Sequence, residues 1–291
     1  MSSSDMLGLI AGQGVFPLEV ARTARRRGVR VACVALRGQT RPEIEGAVES
    51  ITWIYPGEVG AGLAAFRAAG VREVVMAGKV TKSDLFQNPD ALRLDASAAG
   101  MIDSLADRKD DTILGKLADF LETLGLHLLP QYALTPELLV PEGVLTATQP
   151  SAAQRADIAF GFPIAKTIAD LDIGQTVVVK DRAVLAVEAI EGTDAAIRRA
   201  GAIAVGACVV KVAKPSQDPR FDVPTIGPDT VAVLVEANVA VLAIEAGATV
   251  VLERDEVVRA ADAHGIAIVA VAPERGASFA QRAEGERRPS G

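Results

Sequence analysis

The chain has 291 residues, 49% of them hydrophobic and 23% charged, enough for two cores of ordinary size. A net charge of −7 excludes a nucleic-acid binder that works through an overall basic field. Cys33 and Cys208 stand in apolar segments without partner spacing and read as reduced core thiols of a cytoplasmic protein. No secretory signal opens the chain and no apolar run is long enough to span a bilayer, although peripheral contact stays open.

Leu7–Ala11 reads as a short buried strand, and Gly12-Gln13-Gly14 turns it into a helix over about 17–27. Strands follow at 29–36 and 51–54, then a helix over 57–70 closed by its terminal glycine. An apolar strand at 73–77 ends in Gly78-Lys79, helices are expected over 91–105 and 112–124, and a strand over 126–129. Strand–helix alternation with short turns is the signature of a doubly wound parallel sheet.

Prolines at 130, 136, 141 and 150 mark residues 133–150 as a linker between a first domain, 1–132, and a second, 151–274. The second domain reads as a helix over 152–171, strands at 175–180 and 183–189, a helix over 193–200, and a long apolar strand over 202–212. A helix over 231–238, strands at 241–244 and 249–252, a helix over 254–264 and a strand over 266–271 complete it. Residues 275–291 are polar and basic and read as a disordered tail.

The richest stretch is KVAKPSQDPRFDVPTIGPDT, Lys211–Thr230. A buried strand runs into Lys214, Gln217, Arg220, Asp222 and Thr225, which is a fitting loop for a charged substrate and a divalent metal. Solvated charges on a polar crossover loop are the plainer reading.

The Gly12–Gln13–Gly14 turn points backbone N–H groups at a would-be anion, but Pro17 stands where the dinucleotide fingerprint needs its third glycine. Leu36-Arg37-Gly38 lacks the acidic residue that would close the second strand, so a nicotinamide dehydrogenase is disfavoured. Lys79 falls at the carboxyl end of a core strand. One of Asp110 and Asp111 reads as a helix N-cap, the other as a metal or nucleotide ligand.

Glu188 falls among apolar neighbours and needs a partner or a metal, because burying a carboxylate alone is expensive. Close by, Glu191, Gly192, Thr193 and Asp194 start a helix; capping accounts for Thr193. Only His127 and His264 exist, both isolated, so no histidine-rich metal centre can be assembled. What remains is chemistry of carboxylates, Lys, Arg, Gln and Thr: oxygen donors for Mg²⁺ and cations for phosphate.

The segments LGLIAGQGVFP at Leu7–Pro17, MAGKV at Met76–Val80, Asp110–Asp111, LDIGQTVVV at Leu171–Val179, VLAVEAIEGTD at Val184–Asp194 and KPSQDPRFDVPTIG at Lys214–Gly227 occur in this order. Together they resemble the LpxI-type UDP-2,3-diacylglucosamine pyrophosphatases of lipid A biosynthesis, over about residues 6–272. The resemblance implies an N-terminal Rossmann-like domain and a C-terminal α/β domain with a mixed sheet, the substrate held between them.

It also implies hydrolysis of the substrate's pyrophosphate with Mg²⁺, or Mn²⁺ in its place, to UMP and 2,3-diacylglucosamine 1-phosphate (lipid X), water attacking the β-phosphate. Asp222 would be the principal catalytic or metal-organising carboxylate, with Lys214, Gln217, Arg220 and Thr225 in the same motif. On the chemistry of the residues themselves, Glu188, Glu191 or Asp194 would supply further metal ligands. Gly12, Gln13, Gly14, Lys79, Asp111, Gly192, Thr193 and Asp194 would contact substrate. A homodimer at the inner membrane's cytoplasmic face is the implied assembly. Arg182, Ala196 and Lys109 depart from the family pattern. The rival readings are a non-catalytic nucleotide-sugar or lipid sensor and a Rossmann-type oxidoreductase.

Overall fold

The computed structural model describes residues 6–79, 93, 95, 96, 98, 99, 110–214 and 217–273. The helix expected over 91–105 and the polar tail lie largely or wholly outside these residues. The chain divides into two compact units, Met1–Pro136 with Asp218–Asp222, and Glu137–Gln217 with Val223–Gly291.

The first unit begins with β1 (Met6–Ala11), α1 (Phe16–Arg26), β2 (Arg30–Leu36), β3 (Ser50–Ile54), α2 (Val59–Ala68) and β4 (Glu73–Ala77). It continues with α3 (Asp110–Thr123) and β5 (His127–Leu128). All five strands are parallel, in the order β3-β2-β1-β4-β5. That is the Rossmann order, whose direction reverses between β1 and β4. Pro17 starts α1, Glu19 lies in its first turn and Arg25 and Arg26 in its last, as the helix dipole favours. Phe16, Leu18, Val20, Ala21 and Ala24 form its buried stripe.

The second unit contains β6 (Gly143–Val144), α4 (Ala152–Asp170), β7 (Thr176–Lys180), β8 (Ala183–Val187), α5 (Thr193–Gly201) and β9 (Cys208–Lys211). After these come β10 (Thr225–Ile226), α6 (Pro228–Glu236), β11 (Val241–Glu245), β12 (Val250–Val251), α7 (Arg254–Ala263) and β13 (Ala267–Val271). Its main sheet is mixed, in the order β6-β13-β11-β9-β7-β8, and β10 pairs with β12 separately. Strands β9, β11 and β13 are parallel, whereas β7 and β6 run against their neighbours.

Strand alternation gives this sheet two apolar faces. Val178, Val209, Leu242 and Ile268 line up across it and join the core that holds α5, α6 and α7 residues. Val177, Val210, Ala243 and Val269 form the opposite row, covered by Ile158, Phe162, Ala165 and Ala169 of α4. Ser151 and Gln154 close a reciprocal capping box at the start of α4. Gly161 lets that helix approach Val179 and Val210, since a Cβ there would come within 3.0 and 2.9 Å of their methyls.

Three expectations change. The linker is folded: Val140 is buried, β6 pairs with β13, and Thr146 Oγ1 accepts the Ile268 N–H at 3.0 Å. The long strand over 202–212 contracts to β9, because 202–207 is the turn leaving α5. Its Ile203 and Val205 are exposed and Gly206 has φ +70°. Asp110 and Asp111 fall inside the first turn of α3 rather than ahead of it, and their side chains lie outside the described residues.

Cys33 and Cys208 are buried free thiols, and burial pushes Cys33 up to about 12. Among the described residues no helix is long and apolar enough to cross a membrane.

Candidate active site

In the first unit, ligands of such sheets bind at the carboxyl edge, at the point of reversal. There the Gly12–Gly14 turn and the Gly78-Lys79 turn are zipped together. Gly12 N–H donates to Ala77 C=O at 2.8 Å, Gln13 N–H to Lys79 C=O at 2.7 Å, and Lys79 N–H to Gln13 C=O at 3.0 Å. Two of the N–H groups expected to face an anion are therefore spent on β4's turn. Gly14 (φ +100°) has open space where a Cβ would stand, and Gln13 and Lys79 are exposed. Pro17 explains its own place: its Cγ would lie 2.9 Å from a Cβ on Gly78, so it packs against that turn.

Gly12→Ala should destabilise the unit by about 1–3 kcal/mol, because backbone cannot yield as a side-chain tip can. Its Cβ would lie 2.5 Å from Lys79 C=O. A urea midpoint unchanged from wild type would contradict this.

Thr40 ties the neighbouring strands at the same edge, accepting Leu36 N–H at 2.9 Å and donating to Ala11 C=O. The Arg93 guanidinium lies 3.8 Å from the centroid of Tyr55, just beyond β3.

Residues 218–222 also belong to this unit. Phe221 packs against the core that includes Val74, Leu121 and Leu128, and Gln131 N–H donates to Pro219 C=O at 2.8 Å. Arg220 grips Asp218 with Nε and Nη2 at 3.0 and 2.6 Å, which holds the Asp218 carboxyl below its usual range. Asp222 is half-buried, and its N–H donates to Asp218 C=O at 3.1 Å. The motif read as one loop is thus split: Asp218, Arg220 and Asp222 go with the first unit, Lys214, Gln217 and Thr225 with the second.

In the second unit the carboxyl ends of β9 and β11 carry Lys211 and Glu245, both buried. Lys211 Nζ donates to Thr193 Oγ1 at 2.9 Å, and Thr193 Oγ1 donates to Glu188 Oε1 at 2.8 Å. Gln175 N–H donates to Glu188 Oε2 at 3.3 Å. Gly174 makes this possible, since a Cβ there would collide with Glu188 C=O. The buried carboxylate thus has its partners, and Thr193 supplies one of them. Thr193 does not cap α5: Gly192 holds the cap position with φ +83° and no side chain bonds there.

Glu191 pairs with Arg199 at 2.6 Å; its carboxyl is held low first by its own backbone amide, then by Arg199. Asp194 is exposed in the first turn of α5. Lys214 Nζ meets Asp172 Oδ1 at 2.9 Å, and Lys214 N–H donates to Gln217 Oε1 at 2.8 Å. Thr225 Oγ1 donates to Val223 C=O at 3.0 Å and opens β10.

Among the described residues no three His, Cys, Asp or Glu side chains gather as a metal cradle. Both oxygens of Glu188 accept protein hydrogen bonds, and Glu191 holds Arg199. Sequence reasoning missed Lys211, Glu245, Asp172 and Gln175. For Lys211 and Glu245 the available signal was a charged residue ending an otherwise apolar buried strand, as in VVK and VLAIE.

These features define a two-part α/β protein, with a Rossmann-order sheet first and a mixed sheet with a buried Lys–Thr–Glu chain second. Family descriptions named LpxI N-terminal domain and LpxI C-terminal domain match residues 6–138 and 141–269. UDP-2,3-diacylglucosamine pyrophosphatase LpxI of Caulobacter vibrioides is 34% identical over 280 residues, covering 92% of this chain and 98% of that protein. The chain belongs to the LpxI family. The solved GalE-like L-threonine dehydrogenase from Cupriavidus necator (holo form) aligns with 42% of this chain and 34% of its own. Its identity is 16% and its TM-score 0.26, a likeness that carries no argument.

Proposed function

We propose that this chain is a hydrolase that cleaves the pyrophosphate of UDP-2,3-diacylglucosamine in lipid A biosynthesis, releasing UMP and the diacylglucosamine 1-phosphate. The observation that carries this is the match to 98% of the length of a relative bearing that activity in its name. Water would attack the β-phosphate, leaving UMP as the departing group. Such a reaction is accelerated by positioning and by cations around the phosphoryl oxygens, with no covalent nucleophile required.

In this reading Lys214 and Arg220 neutralise the non-bridging oxygens, and Lys79 and the Gly12–Gly14 turn hold the uridine diphosphate. Asp111 and Asp194 belong to the same proposal as substrate contacts. Magnesium keeps several waters and takes one or two carboxylates together with substrate phosphates, so a three-carboxylate cradle is not required. The proposal gives the ion, Mg²⁺ or Mn²⁺, to Asp222 and the diphosphate, where it would spread the phosphate charge. Glu188 is given the task of holding Thr193 and Gln175. A cytoplasmic homodimer in peripheral contact with the inner membrane completes the reading.

The test is incubation of the purified chain with UDP-2,3-diacylglucosamine and Mg²⁺ in water labelled with heavy oxygen. UMP should appear, the label should enter the sugar 1-phosphate, and chelation should stop turnover until Mg²⁺ is restored. No UMP overturns the activity, and label in UMP overturns attack at the β-phosphate.

A further inference from the structure

We infer that Lys166 and Glu245 are positioning residues for the proposed hydrolysis, gripping the backbone of Ala213 so that Lys214 leaves the sheet in one direction. The inference rests on the functional reading above.

β9 ends at Lys211, and Val212 makes the last sheet-like bond, its N–H donating to Gln175 C=O at 3.0 Å. Beyond it the ladder stops, yet Ala213 is buried, and buried backbone groups must find partners. Side chains supply both. Glu245 Oε2 accepts Ala213 N–H at 2.8 Å, and Lys166 Nζ donates to Ala213 C=O at 2.7 Å. Lys166 Nζ also meets the two Glu245 oxygens at 3.2 and 3.0 Å. One ammonium and one carboxylate therefore close a ring around a single residue's backbone.

Both groups come from regular elements, Lys166 from α4 and Glu245 from the end of β11. Neither is carried by a loop that could move with its cargo. The next residue is Lys214, whose N–H is held by Gln217 and whose ammonium is held by Asp172. An ion pair with one buried and one half-buried member is a poor source of net stability compared with apolar side chains of the same volume. Here the pair does what apolar side chains cannot: it bonds a donor and an acceptor on either side of one Cα. A displacement of about 1 Å at a charge-neutralising group costs about 10²-fold in rate. The clamp is built where such a displacement would begin.

The experiment compares wild type, Lys166→Met, Lys166→Arg and Glu245→Gln in steady-state UMP release, with melting curves to count folded molecules. Lys166→Met should lower kcat about 10²-fold with KM changed by less than about threefold, and Lys166→Arg should recover at least about a tenth of the lost rate. A Lys166→Met kcat per folded molecule within about threefold of wild type overturns the inference. Should that variant not fold, Glu245→Gln decides: it keeps the shape and an acceptor for Ala213 N–H but loses the charge that holds Lys166. A kcat about tenfold down at an unchanged melting midpoint supports the clamp, and an unchanged kcat overturns it. Wild type releasing no UMP removes the functional reading itself. Wild type and variants releasing it at one rate removes only the clamp.

Discussion

Asp222→Ala should lower kcat by on the order of 10³-fold while leaving substrate affinity within a few fold, the pattern of a group that acts on developing charge rather than on ground-state binding. The main-chain tether outlasts the truncation. Asp222 is tied down by its own N–H to Asp218 C=O, a bond that survives loss of the carboxylate. Asp218 is held by Arg220, and Phe221 packs against the first unit's core. Asp222→Asn keeps the volume and one acceptor oxygen, so it should fall nearly as far if charge is what matters. Turnover from single-turnover kinetics and affinity by calorimetry separate the two quantities. Near wild-type turnover in the alanine variant would remove Asp222 from the chemistry.

The parts legible in the sequence are those set by local periodicity. β4 falls at Glu73–Ala77 as its apolar run Val74–Ala77 indicates, and α4 starts at the Ser151 capping box. The order of strands and helices in both units follows from turns at glycine, such as Gly70 at φ +70° after α2. What was not legible is set by distant neighbours. β6 and β10 have two residues each, too few for a period of two to show. The 202–207 segment carries exposed Ile203 and Val205 and so imitates a strand.

The candidate site follows the same division. Glu188 announced itself, because a carboxylate among apolar strand residues must be answered by something. Its answer, Thr193 with Lys211 behind it, comes from other elements and leaves no local mark. The split of the KPSQDPRFDVPTIG segment was equally hidden: one aromatic, Phe221, sends residues 218–222 to the first unit. Arg182 is a smaller case. Asp181 and Arg182 both have positive φ, the geometry of a tight hairpin turn that favours glycine. Asp157 holds this pair by accepting both backbone N–H groups at 3.1 and 2.7 Å.

Lys211→Met should lower the stability of the second unit by roughly 3 kcal/mol, because it leaves the charge of Glu188 buried with a hydroxyl that has lost its own cationic donor. Lys211 and Glu188 are 7% and 9% exposed, so water cannot replace the lost partner cheaply. At about 2–4 °C per kcal/mol for a unit of this size, the melting midpoint should drop by roughly 6–12 °C. Replacing the Lys–Thr–Glu chain with apolar side chains, Glu188→Leu with Thr193→Val and Lys211→Met, should recover part of that loss, since the buried Glu188 charge goes with it while the Gln175 N–H loses its acceptor. The same triple variant should be inactive, as the start of α5 and the Gln175 backbone would lose the carboxylate that joins them. Differential scanning calorimetry of the single and triple variants reads the stability and UMP release reads the activity. A single variant that melts with wild type would show that the ammonium and the carboxylate are not coupled through Thr193, and a stable triple variant with full turnover would make the chain a matter of packing alone.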